Sequence, residues 1–121
     1  MDIGPINMFG LKDSDIMLIN TVFAKYDRIN KVVLYGSRAT RNHRAASDID
    51  LALFGNIDYD TLLRIENDID DLLLPYHIDL QVFNNIKNNN LIEQIKKTGK
   101  VFYKKETAEQ SVESPEDLPA R

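Results

Sequence analysis

Residues 32–54, VVLYGSRATRNHRAASDIDLALF, constrain the fold more than any other part of the chain. The segment begins and ends with short apolar runs. The first, residues 31–35 (KVVLY), is apolar almost without a break, which predicts a strand buried on both faces of a sheet covered by helices. Gly36 ends it. The second, residues 48–54 (DIDLALF), alternates, and Ile49, Leu51 and Leu53 share one face. Asp48 and Asp50 fall on the other face, because residues two apart on a strand point the same way. Two such charges about 4 Å apart repel by roughly 4 kcal/mol at an effective dielectric of ~20. A fold keeps that pair when one carboxyl is protonated or a cation sits between them. Oxygen-only ligands suit Mg2+, which is held by one or two carboxylates together with substrate phosphates. The Gly36-Ser37 turn, ten residues before Asp48, offers backbone N–H groups and a hydroxyl to such phosphates.

The other elements follow from periodicity. Residues 1–12 read as an irregular lead-in, broken by Gly4, Pro5 and Gly10. Residues 14–28 read as a helix, with Ser14 as a cap and Ile16, Ile19, Val22, Phe23 and Tyr26 in one stripe. A second helix is expected over 59–74, capped by Asp58, with Leu62, Ile65, Ile69, Leu72 and Leu73 inward and Pro75 closing it. Residues 77–83 (HIDLQVF) alternate as a third strand, with Asp79, Gln81 and Phe83 on one face. Asn90-Leu91-Ile92-Glu93 resembles a capping box opening a last helix, with Gly99 just past its end. Residues 101–103 are a candidate edge strand. The whole is an α/β fold, a small mixed β-sheet packed against helices. Residues 1–104 form the expected domain. Residues 105–121, rich in acids and poor in apolar groups, read as an acidic C-terminal tail.

The 121 residues suffice for one domain, and 43% hydrophobic content is enough for a core. The lack of cysteine rules out disulfides and thiolate metal sites, and it fits a reducing cytoplasm. No apolar run is long enough for a transmembrane helix, and the first ten residues lack the pattern of a signal peptide. A net charge of −4 argues against a general nucleic-acid coat. Arg38, Arg41, His43 and Arg44 nevertheless cluster between the two strands.

Asp79 lies near the start of the third strand. If that strand neighbours the one bearing Asp48 and Asp50, three carboxylates meet on one face. Such a set can hold divalent ions and leave an oxygen to accept a proton, as in-line phosphoryl or nucleotidyl transfer requires. Competing roles for the three acids are loop capping and surface ion pairing with Arg38 or Arg41. Gly36 and Ser37 also have plain roles, as a strand end and a helix cap. Arg38, Arg41 and Arg44 are either a solvated cluster or contacts for a phosphate or a protein.

The pattern Gly36-Ser37, ten residues, Asp48-x-Asp50 and a later Asp79 resembles the DNA polymerase β-like nucleotidyltransferase superfamily. The small size and the closing Ile95, Gly99, Val101 and Tyr103 are similar to its minimal nucleotidyltransferase (MNT) branch, over roughly residues 14–104. The resemblance implies the nucleotidyltransferase fold. It also implies that Gly36 and Ser37, with Arg38 beside them, contact the nucleotide. In that family Asp48, Asp50 and Asp79 would be the catalytic, Mg2+-binding set. Relatives often carry a glycine shortly after the Gly-Ser-Arg; here Ala39-Thr40-Arg41-Asn42 stands, and Asn tolerates a left-handed turn.

MNT proteins of this length are commonly antitoxins paired with a helical HEPN ribonuclease toxin. The resemblance therefore implies AMP transfer from ATP to a toxin tyrosine, within a hetero-oligomeric complex in the cytoplasm. The chain leaves no room for an acceptor domain, so the acceptor is expected on another chain or a second copy. Two other readings stand beside this one: an antitoxin that works by binding alone, and a transferase acting on a small molecule of aminoglycoside type.

Overall fold

Strand β1 (Ile29–Tyr35) owes its central place to its sequence, since Val32, Val33, Leu34 and Tyr35 are all buried. The computed structural model describes residues 9–44 and 46–105. Residues 1–8 of the expected lead-in, and all of the expected tail except Lys105, lie outside the described residues. β1 pairs antiparallel with β2 (Ile49–Gly55) on one side and with β4 (Lys100–Lys104) on the other. β3 (Ile78–Val82) lies parallel to the far side of β2, giving the order β3-β2-β1-β4. The expected mixed sheet is present.

Helices α1 (Asp13–Ala24) and α3 (Tyr59–Asp70) cover one face of the sheet. Ile19, Val22, Phe23, Ile65 and Ile69 pack there on Val32, Leu34, Ile49, Leu51, Leu53, Leu80 and Val82. Full burial of a side chain such as Leu51 contributes about 1.5–3 kcal/mol. Helix α4 (Asn89–Thr98) covers part of the opposite face, where Ile95 packs on Val33, Tyr35 and Ala52. Phe54 stacks on Phe83 at the edge of that second cluster, with ring centroids 4.3 Å apart. Asp50 shares this second face with Ala52 and Phe54, as the alternation in residues 48–54 requires. No helix among the described residues is long and apolar enough to cross a membrane.

Several boundaries differ from expectation, for physical reasons. α1 starts one residue early; its N-cap position is Lys12 rather than Ser14, with no side-chain cap. Asp13 and Asp15 supply negative charge to the first turn, where the helix dipole favours it. α1 stops at Ala24, because a turn over Lys25–Tyr26 delivers the chain to β1. Asp58 caps α3 as expected, accepting from the Thr61 N–H at 2.8 Å. α3 ends at Asp70, four residues short, and Leu73 takes a left-handed backbone (φ 56°) with its side chain 87% exposed rather than inward. α4 is capped by Asn88, two residues ahead of the expected Asn90, and its carboxamide accepts from Asn90 and Leu91. Gly99 is extended rather than left-handed (φ −64°). A Cβ there would fall 2.3 Å from the Ile95 carbonyl and 2.5 Å from Val33 Cγ1, so this glycine serves the close approach of α4 to β1.

Candidate functional site

The parallel pairing of β2 with β3 sets the three aspartates. Ile49 registers with Ile78, and Asp50 registers with Asp79. Neighbouring strands run about 4.8 Å apart, so the two carboxylates project side by side from the α4 face. The Ile49 N–H donates to the His77 carbonyl at 2.9 Å, which brings Asp48 beside His77 at the head of the two strands. Across β1, Tyr35 registers with Asp50.

The electrostatics record this crowding. The Asp50 pKa is raised, first by burial, then by Asp79, then by Asp48, with His77 opposing. Tyr35 is pushed up to about 12 by burial and by the negative charge of Asp50 and Asp79. Asp48 is more than half exposed, and its carboxylate turns toward His77 Nδ1 at 3.6 Å. Among the described residues, no three His, Asp or Glu side chains stand close enough to close a metal shell as they are. The backbone register already supplies the shared face, and Asp48 has solvent to swing through.

Gly36 completes the arrangement. Its backbone (φ 82°, ψ −155°) lies in a region open essentially to glycine alone. A Cβ there would fall 2.6 Å from Asp50 Oδ2. The turn therefore lies directly against the central carboxylate, and Ser37 opens the short helix α2 (Ser37–Thr40) next to it. The left-handed residue ending α2 is Arg41 (φ 67°), not Asn42; the Asn42 N–H closes the turn onto the Ser37 carbonyl at 2.9 Å.

Arg38 departs furthest from its expected place. It is buried, and its guanidinium donates to the carbonyls of Phe9 and Ser47. The sequence assigns no role in this site to His77, which stands too far from His43 and without cysteine to suggest zinc, or to Tyr35, one of five tyrosines that read as core and rim residues. The signal for His77 was present: His77-x-Asp79 mirrors Asp48-x-Asp50, and parallel pairing makes the two motifs neighbours. Other hollows carry less chemistry. One of about 450 Å³ at the far end of β1 is lined by Tyr26, Asp27, Tyr103 and Lys105. Its one carboxylate, Asp27, is already paired with Lys105 at 3.0 Å. A hollow of about 220 Å³ at the β3 edge includes Glu66, Asp70, His77 and Asp79, which extends the acidic character of the site outward.

The family described as "Polymerase beta, Nucleotidyltransferase" matches residues 18–108, three quarters of the sequence. The chain belongs to this nucleotidyltransferase family. The Methanocaldococcus jannaschii protein MJ0604, which carries the provisional name of protein adenylyltransferase, is 29% identical over 93 residues, covering 70% of this nucleotidyltransferase and 90% of that protein. A chain of a toxin–antitoxin complex solved with AMP-PNP superposes with a TM-score of 0.59 at 18% identity, over 78% of this chain and 75% of that one. A chain from a complex of the tri-AMPylated Shewanella oneidensis HEPN toxin with its MNT antitoxin superposes with a TM-score of 0.56 at 17% identity, over 76% and 71% of the two chains. At these identities the structural likeness is one of fold.

Proposed function

We propose that this nucleotidyltransferase transfers AMP from ATP to a tyrosine hydroxyl of a HEPN-type toxin, and so acts as its antitoxin. The observation that carries the reading is the register of Asp50 with Asp79, with Asp48 two residues ahead and Gly36 packed against Asp50. The family supplies the reaction class. The relative with the adenylyltransferase name and the folds shared with toxin–antitoxin chains support the choice of a protein acceptor.

The donor set fits Mg2+. Asp48, Asp50 and Asp79 offer only oxygens, and the Asp50 pKa is raised by burial and then by Asp79 and Asp48, whose charge a cation would offset. These three side chains would hold the ion, which when bound neutralises charge building on the phosphate and lowers the pKa of the attacking hydroxyl. Gly36 and Ser37 receive the phosphate oxygens, through close backbone approach and the Ser37 hydroxyl. Asp79, on the outer strand, accepts the proton as the hydroxyl oxygen attacks the α-phosphorus. The bond from that phosphorus to the bridging oxygen breaks, and pyrophosphate leaves with the electron pair. The Asp50 side chain is half-buried, on a strand position flanked by Asp79 and Tyr35.

The test incubates the chain with ATP, Mg2+ and a HEPN-type protein that binds it, and weighs that protein by mass spectrometry. Addition of one or more AMP masses is expected. An unmodified toxin, under conditions where the two proteins bind, rejects the enzymatic reading. Protection by an Asp48→Ala, Asp50→Ala double variant as full as that of the parent would instead make binding alone the antitoxin mechanism.

A further inference from the structure

Arg38 follows Ser37 directly, yet its side chain is buried against backbone carbonyls. It is 1% exposed, the one buried charged side chain among the described residues. Its Nε and Nη2 both donate to the Ser47 carbonyl, at 3.2 and 3.1 Å. Nη1 donates to the Phe9 carbonyl at 2.9 Å and, at longer range, to that of Gly10 at 3.4 Å. The guanidinium lies 5.3 Å from the centre of the Tyr76 ring. Burial lowers its pKa, but the ordinary arginine value is high enough that it stays a cation.

Two of these partners adjoin the candidate site in sequence. Ser47 immediately precedes Asp48. Tyr76 immediately precedes His77 and stands three residues before Asp79. Arg38 itself lies in the turn of helix that Gly36 and Ser37 open. The Phe9–Gly10 carbonyls add the segment that leads into α1, where Leu11 is fully buried and Phe9 stacks on Phe102.

We propose that Arg38 is a positioning residue: one buried, planar cation fastens the phosphate turn, the strand bearing Asp48 and Asp50 and the approach to Asp79 into a fixed relation. This rests on the function proposed above. A guanidinium suits the task because its donors form a rigid fork that serves carbonyls in different directions while its face takes an aromatic ring. A lysine in the same space is a point charge that cannot hold that spacing.

Arg38→Lys and Tyr76→Leu, each in the full chain, test the idea. Transfer is followed against ATP concentration. Hydrogen exchange is followed over residues 9–11 and 46–50, with α3 as the internal reference. For Arg38→Lys, kcat is expected to fall by about 10²-fold, the scale of a misplacement near 1 Å, while the KM for ATP changes little. Exchange is expected to quicken at 9–11 and 46–50 with α3 unchanged; a general loosening would quicken α3 as well, and that result overturns the proposal. A large rise in KM with kcat preserved makes Arg38 a phosphate ligand and also overturns it. Tyr76→Leu is expected to move both readouts in the same direction by less. Should Arg38→Lys fail to fold, Tyr76→Leu decides alone, and unchanged kcat and exchange there refute the role. A wild-type chain with no transfer activity refutes the proposed function instead, and leaves the exchange pattern to decide Arg38.

Discussion

Gly36→Ala separates two costs that meet at one atom. The backbone at Gly36 (φ 82°, ψ −155°) costs a side-chain-bearing residue about 1–3 kcal/mol. The new Cβ also starts 2.6 Å from Asp50 Oδ2, so the carboxylate must withdraw by several tenths of an ångström. The rest of Asp50 is farther away, with its Cβ at 3.7 Å, an ordinary contact. Removing the carboxylate by Asp50→Ala therefore removes the clash and leaves the backbone cost. Chemical denaturation of the four proteins of this cycle measures both. Gly36→Ala is expected to cost about 2–4 kcal/mol in the parent and about 1–3 kcal/mol in the Asp50→Ala background. Transfer activity of Gly36→Ala is expected to fall by about 10²-fold, since the displaced group is the central carboxylate. Equal costs in the two backgrounds would refute the close packing of turn on acid. A cost near zero in both would refute the backbone argument as well.

Other outcomes follow from individual contacts. The folded pKa of Asp50 lies above its unfolded value, so the native state binds this proton more readily than the unfolded chain. Without divalent cations, stability is therefore expected to fall as pH rises through the range above the ordinary carboxylate value. Asp50→Asn should flatten that slope; an unchanged denaturation profile against pH would refute it. Tyr26 donates to Asp68 at 2.5 Å, tying the end of α1 to α3, and its pKa is pushed up to about 12 by burial and Asp68. That contribution is present below pH ~10 and is lost as pH rises toward the folded value, and Tyr26→Phe is expected to cost about 1–2 kcal/mol in denaturation. Arg41 bears a left-handed backbone at the end of α2 (φ 67°), so Arg41→Gly is expected to stabilise by about 1 kcal/mol. A Tm unmoved or lowered by that change would refute the strain.

Much of this architecture is legible in residues alone. The unbroken apolar run of β1, the alternation of β2 and β3 and the stripes of α1 and α3 report burial directly, because side-chain direction follows backbone period. Those patterns place Asp48 and Asp50 on one face. They leave open whether Asp79 lies beside them, since the order of strands in a sheet comes from long-range packing. The structure supplies that order: β3 pairs parallel with β2, through the α3 crossover. Arg38 was illegible for a different reason. Its neighbours Gly36 and Ser37 draw attention to phosphate, while its partners Phe9 and Ser47 are backbone carbonyls, which leave no mark in a sequence. The end of α3 was hidden as well: Leu72 and Leu73 continue the apolar stripe, but the chain has to turn back at Leu73 to bring β3 alongside β2. Asn88 as the cap of α4 lay within a run of asparagines, any of which satisfies the chemistry of a cap.

The account turns on whether the acids of β2 and β3 form one cation site. Thermal unfolding of the wild-type chain with ATP, titrated with Mg2+, is the direct measure. The unfolding midpoint is expected to climb with Mg2+, because a ligand held by the native state alone stabilises it. Asp50→Asn and Asp79→Asn should each abolish most of that climb. A midpoint indifferent to Mg2+, or one that climbs equally in the two variants, would contradict the shared site.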